Sequence, residues 1–424
     1  MNTPRRTGWG FTLIATLLLT GCGTDRSHLT TAPEVTAGMD TVETVPQIET
    51  SSESAAATAL GGPLGGLTAA ELARFEAGQD EFADVETVED GLGPVFNESA
   101  CVTCHNAPVG GTTGRAETRF GRTTNGRFDP LAAQGGSLLQ DHAVGLVQTP
   151  NGAFTFVPEA VPAEANVRAG RITTPLFGLG LVDAVSDATL RAIARLEARF
   201  APATAGRTNL VTELRSGATR VGRFGWKAQV PSLHQFAGDA YLNEMGITNP
   251  EFPDESAPQG NTGVLVFNPV PVLNDDGSGV ERFADFMTLL GPPPRAGRTG
   301  ATEVGSIVFR QIGCANCHTP TLVTGVSPVA ALSRKAFQPY SDFLLHDMGT
   351  LGDGVEQGVA SGREIRTAPL WGLHARPVFL HDGRASTPQD AVLAHAGQGR
   401  AARDRFTHLA APAKFALLAF LGSL

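Results

Sequence analysis

Apolar positions recur with helical spacing at four places along the chain. Thr68 and Glu71 make a capping-box pattern, and Leu72, Phe75 and Phe82 follow, which predicts a helix starting near residue 68. Asp187–Phe200 reads as a second helix and residues 303–312 as a third, carrying Ile307, Val308 and Phe309 and stopping at Gly313. The chain closes on an apolar helix with Phe415, Leu417, Leu418, Phe420 and Leu421, expected to pack against the 303–312 helix. The first and third helices share Gly-x-x-x-Phe (Gly78 to Phe82, Gly305 to Phe309), a weak internal repeat that points to two copies of one small unit. Alternating strand patterns are scarce, so the expected fold is mainly α. Residues 106–300 read as a long, loop-rich insertion. Pro292-Pro293-Pro294 and the glycines of 297–300 mark a hinge into the second copy.

The N-terminal pattern differs. Residues 11–19 are apolar and follow Arg5 and Arg6, too short a run to span a bilayer but the length of a signal-peptide core. Leu19-Thr20-Gly21-Cys22 resembles a bacterial lipobox, whose Cys carries the lipid; the alternative is an ordinary signal with a chance Cys. Gly23, not Asp, follows, so an inner-membrane retention signal is missing. The expected location is export to the periplasm with an anchor at Cys22, in the outer membrane. Residues 23–66 hold no aromatic side chain and read as a disordered tether.

Composition adds two constraints. Of 424 residues 42% are hydrophobic, enough for a sizeable core, while 50 Gly and 28 Pro imply long turns and loops. The net charge of −10, with no basic cluster, argues against nucleic acid as a partner.

The five cysteines narrow the chemistry. Besides Cys22 they form two Cys-x-x-Cys-His units, Cys101, Cys104, His105 and Cys314, Cys317, His318, leaving no thiol for a disulfide framework. Two thiols at this spacing can add to the two vinyl groups of one haem while the adjacent His reaches the iron. Zinc is the alternative, but zinc sets rarely use the His directly after the second Cys. A redox disulfide would leave the His unexplained. Two covalently bound haem c groups are expected, and their porphyrins would supply much of the buried apolar surface.

Further text carries a family resemblance. It includes Leu176-Phe177-Gly178-Leu179-Gly180-Leu181, Arg223-Phe224-Gly225-Trp226-Lys227-Ala228 and Glu244-Met245-Gly246-Ile247-Thr248. It continues with Leu345-His346-Asp347-Met348-Gly349, Arg366-Thr367-Ala368-Pro369-Leu370-Trp371-Gly372 and His381-Asp382-Gly383-Arg384. With the two haem units these resemble the bacterial dihaem cytochrome c peroxidase superfamily, in particular its dihaem oxidoreductase branch, some members of which are labelled thiol oxidoreductases. The resemblance covers about residues 67–424. It implies two cytochrome c-like haem domains, 67–300 with the insertion and 301–424, after a signal peptide 1–22 and a tether 23–66.

The resemblance also implies site residues. Trp226, Gln235 and Glu244 follow the family's order of inter-haem Trp, Gln and catalytic Glu, so these three are the expected catalytic set over the first haem. For the second haem the family's distal Met register arrives at His395, the expected sixth ligand, with Met348 as the alternative. Imidazole in place of thioether would lower that haem's potential. His142 reads as an exposed loop residue, the alternative being a removable distal ligand of the first haem. The family's interdomain calcium is doubtful, because Gly178 and Arg376 fall near the places of its Asn and Thr. The implied activity is reduction of hydrogen peroxide, with electrons entering through the second haem from a small redox protein or a quinol-linked donor. The rival readings are a non-catalytic electron carrier and a haem enzyme oxidising a protein side chain or thiol.

Overall fold

The Thr68 side chain accepts from the Glu71 amide, and the Glu71 carboxylate accepts from the Thr68 amide at 2.7 Å, so the predicted capping box starts helix α1, Ala69–Ala83. The computed structural model describes residues 59–424; the expected signal peptide, Cys22 and most of the tether lie outside the described residues. Then come α2 (Leu179–Asp183), α3 (Asp187–Phe200), α4 (Leu233–Met245), α5 (Ser278–Leu289) and α6 (Gly300–Gln311). The C-terminal part adds α7 (Pro388–Ala394), α8 (Arg400–Thr407) and α9 (Ala411–Leu421). Among the described residues no helix is long and apolar enough to cross a membrane.

The tether ends earlier than expected. Leu64 is buried, its amide donates to the Leu289 carbonyl at 2.7 Å, and Leu60 and Leu67 pack on the same core. The expectation of a mainly α fold also needs correcting in the middle of the chain. Thirteen short strands are present among the described residues. One antiparallel sheet orders Arg127–Asp129, Ala116–Thr124 and Val167–Ile172. Along Ala116–Thr124 the side chains alternate faces. Phe120 packs with Leu131 and Leu139 on one side, while Glu117 and Arg119 take the other.

The Gly-x-x-x-Phe repeat has a packing cause. α1 lies on α5 and α6 lies on α9. A Cβ on Gly78 would sit 2.4 Å from the Arg282 carbonyl oxygen of α5, and one on Gly305 would sit 2.0 Å from the Ala416 carbonyl oxygen of α9. Each glycine therefore lets two helix backbones approach where no side chain fits. One turn later, Phe82 reaches the His105 ring (centroids 5.8 Å apart) and Phe309 the His318 ring (6.5 Å). Gly305→Ala is expected to cost about 1–3 kcal/mol by overpacking, read as a lower urea midpoint at unchanged m-value.

Two main apolar cores result. The first gathers Phe75, Phe82, Phe286 and Met287, and the second Phe309, Leu417, Phe420 and Leu421. Leu322, Phe337, Phe343 and Trp371 pack into the first core, so apolar packing runs across residue 300. The Asp353 carboxylate is fully buried, accepting from Arg171 Nε at 2.8 Å and pairing with Lys227 Nζ at 2.8 Å. The Lys227 ammonium also donates to the carbonyls of Ser361 and Glu364.

Candidate functional site

Each Cys-x-x-Cys-His unit folds as a single 3-10 turn, Cys101–Thr103 and Cys314–Asn316, closed by the His amide donating to the first Cys carbonyl at 2.9 and 3.0 Å. With three residues per turn, side chains at i and i+3 eclipse, which puts both thiols of each unit on one edge. All four are free. Burial pushes Cys101 and Cys314 up to about 12 and Cys104 up to about 11. Among the described residues the His/Cys/carboxylate group close enough to share an ion is Cys317, Asp342 and His346, which leaves out His318 and Cys314.

Two cavities open onto these turns, each enclosing about 1400 Å³ of atom-free space that includes open solvent. Their apolar linings, paired thiols and buried imidazoles fit a porphyrin each.

The first cavity holds the Cys101 turn, and His105 is the only described histidine in its wall. Burial pushes His105 down to about 4, keeping it neutral. Glu244, near the C-terminus of α4, also lines it. Its Oε2 accepts from Asn97 Nδ2 at 2.8 Å, and its carbonyl accepts from the Asn97 amide at 2.7 Å. Glu117 and Arg171 are direct cross-strand partners and Arg119 lies two residues along, so all three share the sheet face that lines this cavity. Arg119 donates to both oxygens of Glu117, at 2.7 and 3.1 Å. Burial and then the charge of Glu117 push Glu244 up to about 8, while Asn97 and Arg119 only partly oppose them. Burial also acts upward on Glu117, but Arg119 outweighs it and holds that carboxyl below its ordinary value. The two carboxyls thus keep one proton between them at neutral pH.

The second cavity brings two imidazoles together. α7 begins at Thr387, whose hydroxyl accepts from the Asp390 amide, and its C-cap is His395. The rings of His318 and His395 stand 6.4 Å apart, centre to centre. Both line one cavity, so a metal ion bound there could be held by the two rings together. His318 Nδ1 donates to the Tyr340 carbonyl at 3.0 Å and His395 Nδ1 to the Ala391 carbonyl at 2.7 Å. A carbonyl can only accept, so each Nδ1 carries the proton and each Nε2 is left with a lone pair. Burial holds both rings below their ordinary pKa, His318 at about 4. Met348 lines the same cavity but packs with Ile172, Trp226 and Ile365.

Trp226 forms part of the wall of both cavities. Its Nε1 donates to the Ile172 carbonyl at 2.9 Å, its carbonyl accepts from the Arg366 amide, and its neighbour Lys227 is clamped by Asp353. Gln235 is a correction: it lines neither cavity, and its Oε1 accepts from the Leu214 amide at 2.9 Å. At about 100° per residue, the roughly nine steps from Gln235 to Glu244 leave the two on opposite faces of α4. Gln229 lines the first cavity instead. His142 also lies outside both cavities, half exposed against Asp141 and stacked on Phe96. Sequence reasoning missed Asn97, Glu117 and Arg119. For Glu117 and Arg119 the one available signal was the alternation around Phe120, which charged neighbours disguised.

Among curated proteins none matches the chain. Several solved structures resemble it distantly, three of them as follows. A Kuenenia stuttgartiensis hydrazine synthase pressurised with xenon is 14% identical over 95% of this chain and 100% of its own, with a TM-score of 0.36. A MauG-like protein associated with microbial copper homeostasis is 14% identical over 87% and 93%, TM-score 0.39. The diheme peroxidase BthA from Burkholderia thailandensis is 14% identical over 83% and 86%, TM-score 0.37. The sequence match is more direct: the family model described as "Di-haem oxidoreductase, putative peroxidase" matches residues 160–424, from within the insertion through the second Cys-x-x-Cys-His unit to the last residue. That span is more than half of the sequence, and the chain belongs to the di-haem oxidoreductase family, an oxidoreductase built for two haem groups.

Proposed function

We propose that this oxidoreductase reduces hydrogen peroxide at the first haem and takes in electrons through the second. One observation carries the reading: the two cavities are unlike. The second brings two buried imidazoles to 6.4 Å from each other, whereas the first has one imidazole and two carboxyls, of which burial and the charge of Glu117 push Glu244 up. Both haems would be attached as thioethers, by addition of each thiol S–H across a vinyl group. His105 would hold the first haem iron, and His318 and His395 would hold the second. Met348 is left as wall.

When bound, the first haem iron supplies the place for peroxide and the electrons for breaking its O–O bond. Glu117 and Glu244 hold one proton between two carboxyls, so one can accept a proton while the other donates. Asn97 fixes the Glu244 carboxyl through two hydrogen bonds, one to Oε2 and one to the backbone. Trp226 spans the wall between the sites. The sum is hydrogen peroxide, two electrons and two protons giving two waters, with a small redox protein or a quinol-linked donor as electron source. Calcium has no part in this reading: the Arg376 guanidinium already donates to the Pro369 and Trp371 carbonyls. The lipid anchor at Cys22, the periplasmic location and the division into two cytochrome c-like domains belong to the same proposal.

Electron paramagnetic resonance of the resting ferric protein tests it. One high-spin and one low-spin haem are expected, with a spectral response to one equivalent of peroxide. Two low-spin haems with no such response would leave an electron carrier. His395→Ala is expected to convert the low-spin signal to high-spin, and His395→Met to keep it low-spin while raising its potential. An unchanged spectrum in both variants would remove His395 as the ligand.

A further inference from the structure

We propose that Arg366 and Arg376 form a dianion subsite in the second cavity and receive the two propionate carboxylates of its haem. The proposal rests on the reading that a haem fills that cavity. Both arginines line the cavity, and both also line the smaller cleft beside Trp226. Arg366 is only 6% exposed; its Nε donates to the Gly225 carbonyl at 2.7 Å and its Nη1 to the Thr367 carbonyl at 2.9 Å. Arg376 donates through Nη2 to Pro369 and Trp371, while its Nε is buried and has no hydrogen-bond partner.

What sets this pair apart is the lack of a counter-ion. The other deeply buried arginines are paired: Arg171 with Asp353, and Arg223 with Asp187. Arg403, elsewhere in the cavity wall, is paired with Asp404, and Arg405 is solvent-exposed. Neither Arg366 nor Arg376 pairs with a carboxylate among the described residues. The acid that acts on Arg366, Asp342, is already bonded to His346 at 2.9 Å. Burial alone lowers Arg376 to about 10, and burial followed by the charge of Arg376 does the same to Arg366.

Two buried guanidiniums that repel each other and have no acid partner are costly to the fold. A ligand bringing two carboxylates removes that cost, and guanidinium forks match carboxylates two bonds at a time. A neutral ligand, or one with its acids at the far end, would leave both charges unpaired in an otherwise apolar wall.

The test uses the full-length holoprotein. Resonance Raman spectra of the second haem are compared for the wild type, Arg376→Gln, Arg366→Gln, Arg376→Lys and Arg223→Gln. The propionate bending bands are expected to shift in both glutamine variants of the pair, to return part-way in Arg376→Lys, and to stay in place in Arg223→Gln. Bands that do not move in either pair variant overturn the proposal. If the variants fail to assemble, the wild type decides by infrared spectroscopy. Propionates held by guanidiniums keep the ionised-carboxylate bands to below about pH 3.5, under the ordinary carboxyl range of about 4, and a protonated band that grows in at or above about pH 4 overturns the subsite. A haemochrome count below two per chain would instead sink the haem reading itself, so the two failures are told apart.

Discussion

Glu244→Gln is expected to lower peroxide turnover by about 10²-fold or more, with haem content unchanged. The glutamine keeps the shape and still accepts from Asn97, but it neither gives nor takes a proton. The loss should appear in kcat/KM for peroxide, followed through oxidation of a reduced cytochrome. The pH profile carries the sharper signature. With Glu244 pushed up to about 8 and Glu117 held low, the singly protonated pair dominates across the neutral range. Wild-type activity should fall as pH rises through about 8, and the variant should lose that limb. An unaltered profile would show that this carboxyl pair is not the proton source.

The second large effect is on stability. Asp353→Ala is expected to cost about 3–5 kcal/mol, because it strands the buried charges of Arg171 and Lys227. Burial acts to raise Asp353, but Arg171 and Lys227 outweigh it, so its folded-state pKa lies below the ordinary value. A depressed carboxylate contributes stability that is present above its unfolded pKa of about 3.9 and lost as pH falls through the folded value. Urea unfolding of the wild type should therefore weaken below about pH 4, and in the variant that acid dependence should shrink. The two backbones joined here carry Arg171 of the first cavity and the loop of Trp226. A change in inter-haem electron transfer should accompany the loss of stability.

Much of the helical frame could be read from the chain. The Thr68 box, Asp187–Phe200, the 303–312 helix and the C-terminal helix all occur: the first three start at a side-chain cap, and the last, without one, is apolar nearly all round. Phe415 is an exception within its helix, exposed where a core residue was expected. The sheet could not be read. Its inward positions are Glu117, Arg119 and Arg171, so the face that ordinarily betrays a buried strand by being apolar is charged here. The two Cys-x-x-Cys-His turns carried their chemistry in their spacing, whereas His395 was expected only through the family resemblance. Gln235 was misplaced because matching its order along the chain ignored the turn of α4.

The Gly78 and Gly305 crossings look alike but close very different lengths of chain. Arg74 of α1 pairs with Asp285 of α5 across 211 residues, whereas α6 and α9 meet after about 110. The entropic difference is small, about 0.6 kcal/mol per doubling of loop length. The difference in timing is not. As the chain emerges from its N-terminus, α1 and its Phe75 and Phe82 must wait for some two hundred residues, sheet and hairpins included, before α5 arrives to cover them. The C-terminal pair closes over a shorter segment soon after it is made. The half that carries the carboxyl pair is therefore the slower to become complete and the longer exposed to misassembly.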